Sequence, residues 1–215
     1  LPLFHIGGLA MVMRSVIYGV PLIVHERFDP VAVNEAISME RVTLISVVAN
    51  MLERMLDAQA EQPYPPTLRA VLLGGGPASR PLLERCARLG VPVVQTYGMT
   101  ETASQAVTLA PVDTLRKLGS AGRPLLPVEL RIVQNDESVP AGEIGEIVVR
   151  GPNVTAGYAD RPAATATAVR DGWLHTGDVG YLDADGFLYV VDRRDDLIIS
   201  GGENVYPAEV EAVLR

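Results

Sequence analysis

Three short apolar runs, separated by segments with helix signals, constrain this chain most. They are Val42 to Val48 (VTLISVV), Ala70 to Leu73, and Val91 to Val94, which only Pro92 breaks. Runs this short, rich in β-branched residues and nearly free of polar alternation, read as strands buried on both faces. Asp29 caps a helix with Pro30 at its first position that runs to Glu40, Asn50 caps one to about Ala60, and Ser79 caps one that ends near Gly90; short polar caps and an early proline are start signals. Strand and helix in alternation predict a parallel sheet with right-handed crossovers, whose ligands sit at the carboxyl ends of the strands. Upstream, Leu9 to Tyr18 has helical spacing and stops at Gly19, and Pro21 to His25 reads as a further short strand.

The texture changes at Gly119. Short alternating strands follow, at Val128 to Val133, Ile144 to Arg150 and Phe187 to Val191, joined by acidic turns such as Asp183-Ala184-Asp185-Gly186. This pattern predicts a small β-rich subdomain, a distorted barrel. Beyond the charged stretch Arg193-Arg194-Asp195-Asp196 come a short strand (Leu197 to Ile199), a Gly-Gly turn and a helix opened by Pro207. The expected class is therefore α/β. Residues 1–118 form the parallel-sheet part with flanking helices and 119–194 the β-rich part; 195–215 form a hinge and the start of an α+β domain.

Composition narrows the function. A net charge of −8 argues against a nucleic-acid partner. No basic run suggests a membrane surface, and Arg14 interrupts the longest apolar run well short of spanning length. The single thiol, Cys86, excludes an intrachain disulfide and fits a reducing compartment. The chain opens on Leu1 without a basic leader and ends in PAEVEAVLR with a helix pattern still running, so an internal piece of a longer protein is expected.

The richest stretch is Gln95 to Gln105, QTYGMTETASQ. Gly98 ends the strand and Thr100-Glu101 opens a segment of helix-like composition, where free N–H groups and a positive dipole end suit an anion. Tyr97 can stack on a base, Thr100 can donate to a phosphate and Glu101 can hold Mg²⁺; an ordinary turn with a solvated glutamate is the alternative. Gly74-Gly75-Gly76-Pro77 leaves a bare backbone against which a flat ring can lie, or is simply a tight turn; it lacks the Lys-Ser/Thr pair of a Walker loop. Asp178, in His175-Thr176-Gly177-Asp178, can accept two ribose hydroxyls or bond its own backbone. Arg193 and Asp195 lie at a junction that is either a hinge or a solvated charge cluster. Ser200-Gly201-Gly202-Glu203-Asn204 can pass an extended ligand close to the backbone or is a plain turn. His5, in PLFHIGG, reads as packed sooner than catalytic. His25 and His175 have no metal-ligand spacing with each other or with Cys86, and no GxSxG elbow is present.

The order and spacing of PLFHIGG, LLGGGPAS, QTYGMTETAS, WLHTGD and DRRDDLIISGGENVYPAEVE say more than any one of them. Over essentially its whole length the chain resembles the adenylate-forming superfamily of acyl-CoA synthetases, luciferases and peptide-synthetase adenylation domains. Within it, LPLFHIGGLAMVMRSVIYGV, QTYGMTETASQAVTLAP, KLGSAGRPL and VVDRRDDLIISGGENVYP look most like the acid–CoA ligases that act on o-succinylbenzoate in menaquinone biosynthesis. The resemblance implies a cytoplasmic, AMP-forming ligase that uses ATP and Mg²⁺ to turn a carboxylic acid into an acyl-adenylate and passes the acyl group to coenzyme A.

It also implies roles. Thr100 donates to the phosphate, Glu101 binds Mg²⁺ and Tyr97 stacks on adenine. Gly74 to Pro77 and Thr96 to Met99 line the adenylate pocket. Asp178 holds the ribose hydroxyls with support from Arg193, Asp195 is the hinge, and Ser200, Gly201 and Gly202 line the pantetheine channel. His5 sits beside the acyl carboxylate, with Gly75 and Gly98 at the acyl group. Arg14, a charge in an apolar helix, is a candidate partner for the second carboxylate of a diacid. Where many members place a glycine before the ribose-binding arginine, this chain has Asp192. The family's phosphate loop is expected upstream of Leu1 and its adenylation lysine beyond Arg215, so these 215 residues alone are expected not to catalyse adenylation. A fatty-acyl or aryl-acid ligase, a peptide-synthetase-like domain that hands its product to a carrier protein, and a non-catalytic adenylate sensor are the alternatives. Association into a homo-oligomer stays open.

Overall fold

The apolar runs do form a parallel sheet. In the computed structural model, which describes residues 1–76, 78–193, 198–200 and 203–205, β1 (Leu44–Val47), β2 (Ala70–Leu73) and β3 (Val93–Tyr97) lie parallel in sequence order. Two antiparallel strands, β4 (Val107–Leu109) and β5 (Arg123–Pro124), extend this first sheet to five strands. The helices are α1 (Ile6–Tyr18), α2 (Pro30–Met39), α3 (Ala49–Ala58) and α4 (Arg80–Arg88). Asp29 Oδ1 accepts from the N–H groups of Val31 and Ala32 at 2.9 and 3.0 Å, and Ser79 Oγ accepts from Leu82, as their places before proline-led helices predict. Ile37, Leu52, Met55 and Leu56 from α2 and α3 join Val71, Leu73, Leu83 and Val93 in one core. Burying each such side chain is worth about 1.5–3 kcal/mol. One polar group sits among them: Asn34 donates to the Met55 carbonyl at 2.8 Å and accepts from the Tyr64 hydroxyl at 2.8 Å. Burial pushes the Tyr64 hydroxyl up to about 12 and the Cys86 thiol up to about 11, so both stay protonated at neutral pH.

Four local expectations need correction. Pro21 to His25 forms no strand, because it finds no ladder partner among the described residues. The run from Val42 gives an edge strand with Leu44 55% exposed, not a strand buried on both faces. The helix expected from Asn50 starts at Ala49, with Val48 at its cap and no capping side chain. The helix expected at Thr100 is a single 3₁₀ turn, Thr100–Thr102, which Ala103 ends in the left-handed region at φ 52°.

The second sheet is antiparallel, as its alternation predicts. It is built from β6 (Glu129–Gln134), β7 (Glu137–Ser138), β8 (Gly145–Arg150), β9 (Val169–Arg170), β10 (Trp173–Leu182) and β11 (Leu188–Arg193), with the short α5 (Pro162–Ala168) before β9. The strand order is β11-β10-β8-β6-β7, with β9 paired to β10. Among the described residues its two edges do not pair, so the sheet is bulged but open where a distorted barrel was expected. The two sheets share a second core, in which Ala106 and Val107 meet Ile132, Ile147, Val149 and Leu188. The segment between them is stitched down as well: Ala121 donates to the Leu188 carbonyl at 2.8 Å, and Lys117 Nζ reaches Asp183 and Asp185 at 2.7 and 2.6 Å. A last hairpin pairs β12 (Ile198–Ser200) with β13 (Glu203–Val205). Pro77, Asp195, Gly201, Gly202 and the helix expected from Pro207 lie outside the described residues.

Candidate active site

The carboxyl ends of β2 and β3 meet where the topology puts them. Gly74 follows Leu73 and donates to the Val47 carbonyl at 3.2 Å. The neighbouring Thr96 hydroxyl donates to the Leu73 carbonyl at 3.3 Å. A Cβ on Gly74 would come within 2.8 Å of that hydroxyl, so the two strand ends lie in direct contact. At Gly98 the chain folds back on itself: a Cβ there would stand 1.8 Å from the Ser104 carbonyl oxygen and 2.9 Å from the Gln105 Cα. Only glycine admits that approach. The turn it makes is held from inside, where the buried Thr102 hydroxyl accepts from Met99 N–H at 3.0 Å. Because the segment is one 3₁₀ turn, no helix dipole aims at an anion here. What remains are side chains, the exposed Thr100 hydroxyl and the half-buried Glu101 carboxylate.

The second sheet supplies the other half through an irregularity. β10 pairs His175 with Val148 and then Val179 with Glu146, so Thr176, Gly177 and Asp178 all stand against Ile147 alone. Such a bulge strips its residues of ladder partners, and each buried N–H left unpaired would cost roughly 1–3 kcal/mol. Side chains replace the missing carbonyls. Glu146 Oε1 accepts from Gly177 N–H at 3.3 Å, and Thr176 Oγ1 accepts from Asp178 N–H at 3.1 Å while donating to the Ile147 carbonyl at 2.7 Å. Gly177 takes a φ of 73°, which suits a residue without Cβ. The bulge turns Asp178 towards the first sheet, where its Oδ2 accepts from the Tyr97 hydroxyl at 2.8 Å. The backbone of Arg193 lies opposite Asp178 on β11.

A loop after β8 closes the arrangement. Asn153 Nδ2 donates to the Thr102 carbonyl at 3.0 Å, Thr155 N–H to the Glu101 carbonyl at 2.8 Å, and the Tyr158 hydroxyl to Glu101 Oε1 at 2.8 Å. The bond to that carboxylate, with some burial, holds the Tyr158 hydroxyl above the usual phenol range. Thr100, Glu101, Thr155 and Tyr158 line a cleft of about 400 Å³. The described residues contain no group of three or more acidic, histidine or cysteine side chains able to hold a metal by themselves. One carboxylate and one hydroxyl beside an open cleft do suit Mg²⁺, which keeps waters and takes substrate phosphates as ligands.

Tyr97, Glu101, Thr100, Gly74 and Asp178 are thus brought together around the junction of the two sheets. Arg14 joins them at one remove, since its Nη2 donates to Gln105 Oε1 at 2.7 Å, beside the Gly98 turn. His5 is placed differently: it is exposed, and its Nδ1 accepts from Gly7 N–H at 3.2 Å to cap α1. Ser200 is placed by its backbone in β12. Sequence reasoning missed Glu146, Tyr158, Asn153 and Gln105. Glu146 reads as an outward-facing strand residue, Gln105 closes the QTYGMTETASQ stretch without a role of its own there, and Asn153 and Tyr158 lie in none of the stretches singled out; only the fold reveals what they touch.

A bare glycine backbone at parallel strand ends, an aromatic ring hydrogen-bonded to a carboxylate, and a second carboxylate facing a cleft make up the candidate site. The AMP-binding enzyme family matches residues 1–159, and the chain belongs to it. A 2-succinylbenzoate–CoA ligase from Geobacillus kaustophilus is 64% identical over 213 residues, 99% of this chain and 44% of that protein. The o-succinylbenzoate CoA synthetase of Bacillus subtilis, solved with its acyl-adenylate intermediate OSB-AMP, superposes with a TM-score of 0.97 at 53% identity, covering 100% of this chain and 44% of the other. A fatty acyl CoA synthetase from Mycobacterium tuberculosis gives 0.86 at 38% identity, with 100% and 43% covered. The chain therefore spans less than half the length of these relatives.

Proposed function

We propose that this chain carries the adenylate-binding part of an ATP-dependent acid–CoA ligase whose acid is o-succinylbenzoate. The observation that carries the reading is the Tyr97–Asp178 bond, which fixes an aromatic ring and a carboxylate side by side at the strand ends. The high identity to 2-succinylbenzoate–CoA ligases supports the choice of acid over a monoacid. In the first step an oxygen of the acid attacks the α-phosphorus of ATP, the bond to the bridging oxygen breaks and pyrophosphate leaves. In the second the thiol of CoA attacks the acyl carbon, loses its proton, and AMP leaves.

The first step brings anion to anion, so donors and cations must face the phosphates. Thr100 donates to the phosphate and Glu101 holds Mg²⁺, which when bound neutralises phosphate charge. Tyr97 lies on the adenine, with Gly74 to Gly76 and Gly98 leaving room for the adenylate and acyl group. Asp178 takes the ribose hydroxyls. Arg14, oriented by Gln105, faces the second carboxylate of the acid, and His5 sits beside the acyl carboxylate. Arg193 supports the ribose, Asp195 is the hinge between the parts 119–194 and 195–215, and Ser200 with Gly201 and Gly202 lines the path of CoA. A cytoplasmic location follows from these substrates, and no described helix is long and apolar enough to cross a membrane.

The test follows AMP formation by the full-length protein with ATP, Mg²⁺ and CoA against o-succinylbenzoate, benzoate, coumarate and medium and long fatty acids. Strong preference for o-succinylbenzoate is expected. Preference for a monoacid would keep the chemistry and discard the acid, and AMP with none of them would leave the sensor reading.

A further inference from the structure

Glu146 lies against both the bulge that carries Asp178 and the residue that enters it. Its Oε1 accepts from Gly177 N–H at 3.3 Å, and its Oε2 lies 3.1 Å from His175 Nδ1. Its side chain and that of His175 are only 13% and 10% exposed, so these contacts are made largely out of water, where they weigh more than on an open surface. Arg170 Nη2, which can only donate, lies 2.6 Å from the same His175 nitrogen, so that nitrogen accepts from Arg170 and rests beside Glu146 without donating to it, while Arg170 Nη1 reaches Asp136 at 3.2 Å. Glu146 thus stands where a strand carbonyl would have stood had the ladder continued, and it faces the residues immediately before Asp178. A carboxylate does this better than a carbonyl, because its charge strengthens the bond from the Gly177 N–H.

We propose that Glu146 is a positioning residue for nucleotide selection: it clamps the Thr176–Asp178 bulge at Gly177 and so aims the Asp178 carboxylate at the ribose hydroxyls of ATP. This rests on the reading of Asp178 as the ribose acceptor. Glu146 touches no nucleotide atom and acts only through the shape of the bulge. Its loss lets Gly177 rotate to find another acceptor, and the Asp178 carboxylate moves with it. Recognition of the sugar then weakens while the acyl and CoA ends of the site are untouched.

The experiment uses the full-length enzyme and compares kcat/KM for ATP with that for 2′-deoxy-ATP and 3′-deoxy-ATP. The variants are Glu146→Ala, Glu146→Gln, Asp178→Asn and the double variant Glu146→Ala/Asp178→Asn. In the unmodified enzyme ATP is preferred. Glu146→Ala is expected to cut that preference about tenfold, the weight of one charged hydrogen bond. KM for the acid and for CoA stays unchanged. Glu146→Gln keeps the volume and one acceptor for Gly177 N–H, so it gives a smaller loss of the same sign and still reads the clamp if the alanine variant fails to fold. In the Asp178→Asn background Glu146→Ala changes the preference no further. An equal fall in rate for ATP and both deoxy-nucleotides would overturn the proposal, because a merely structural residue does not move the ratio. If Asp178→Asn flattens the preference and both Glu146 variants keep it, the ribose reading stands and the clamp is wrong. If Asp178→Asn keeps the preference, the ribose reading falls first and the clamp with it.

Discussion

The two sheets build one site in different ways. The parallel sheet contributes backbone and close approach: Gly74 against Thr96, and Gly98 against Ser104. The antiparallel sheet contributes side chains thrown out of register, with Asp178 on a bulge and Tyr158 on a loop that crosses back to Glu101. In a parallel sheet the place of the ligand follows from topology, since every strand ends on the same side. In an antiparallel sheet neighbouring strands end on opposite sides, and here a break in the ladder re-aims the side chain that reaches the site. The shared core of Ala106, Val107, Ile147 and Leu188 lets the two kinds of contribution meet at fixed distances.

The sharpest way to break this comparison is at Glu101, where a residue of the first sheet is held by one of the second. In the full-length enzyme Glu101→Gln is expected to lower the rate of pyrophosphate release on the order of 10²–10³-fold, as loss of a charge-stabilising group does. Raising the Mg²⁺ concentration restores part of it. A rate within the error of the parent would remove Glu101 from the phosphate site. Next comes the turn itself. Gly98→Ala drives a Cβ into the Ser104 carbonyl, and the backbone must open to accept it. A loss of about 1–3 kcal/mol of stability is expected, in the range of overpacking strain, read as a lower denaturant midpoint. An unchanged midpoint would mean that the turn has room for a side chain.

A finer probe is the bond between the sheets. Tyr97→Phe keeps the ring and deletes the donor to Asp178. It is expected to raise KM for ATP severalfold, about 1 kcal/mol, with kcat little changed. A larger effect on kcat than on KM would point to a role in the chemical step instead. The smallest effect lies away from the site. Lys117 holds Asp185 below the usual carboxylate range through its hydrogen bond; in Asp183, burial pulls upward but the bonds from Lys117 and from the Phe187 and Asp185 N–H groups outweigh it. Folded-state values below the ordinary 3.8 mean that this stabilisation is present above that pH and is lost as the pH falls through the lowered values. Lys117→Met should therefore melt earlier than the parent at neutral pH, with the gap closing in the acid limb. A gap that widens on acidification would reverse the sign and discard the ion pair as its cause.

How much of this was legible in the sequence divides along the same line. Apolar runs, early prolines and the caps Asp29 and Ser79 gave β2, α2 and α4 nearly to the residue, and β1, β3 and α3 to within two or three residues, because local chemistry sets them. Tyr97, Glu101 and Asp178 stood out through the company they keep along the chain. Local chemistry failed where partners decide. Pro21 to His25 has strand composition and no strand to pair with, and Thr100-Glu101 has helix composition but is cut short at Ala103 by the fold-back at Gly98. Glu146 and Tyr158 could not be read, since the first acts through a register shift and the second across a loop, and neither leaves a trace in periodicity.

The central claim is that one adenylate is held by both sheets at once. Hydrogen exchange of the full-length protein, with and without a non-hydrolysable acyl-adenylate analogue, tests it most directly. The account predicts slowed exchange in two separated segments together, residues 96–102 and residues 175–179, with the strands on the far side of either sheet unaffected. Protection confined to one of these segments would contradict it.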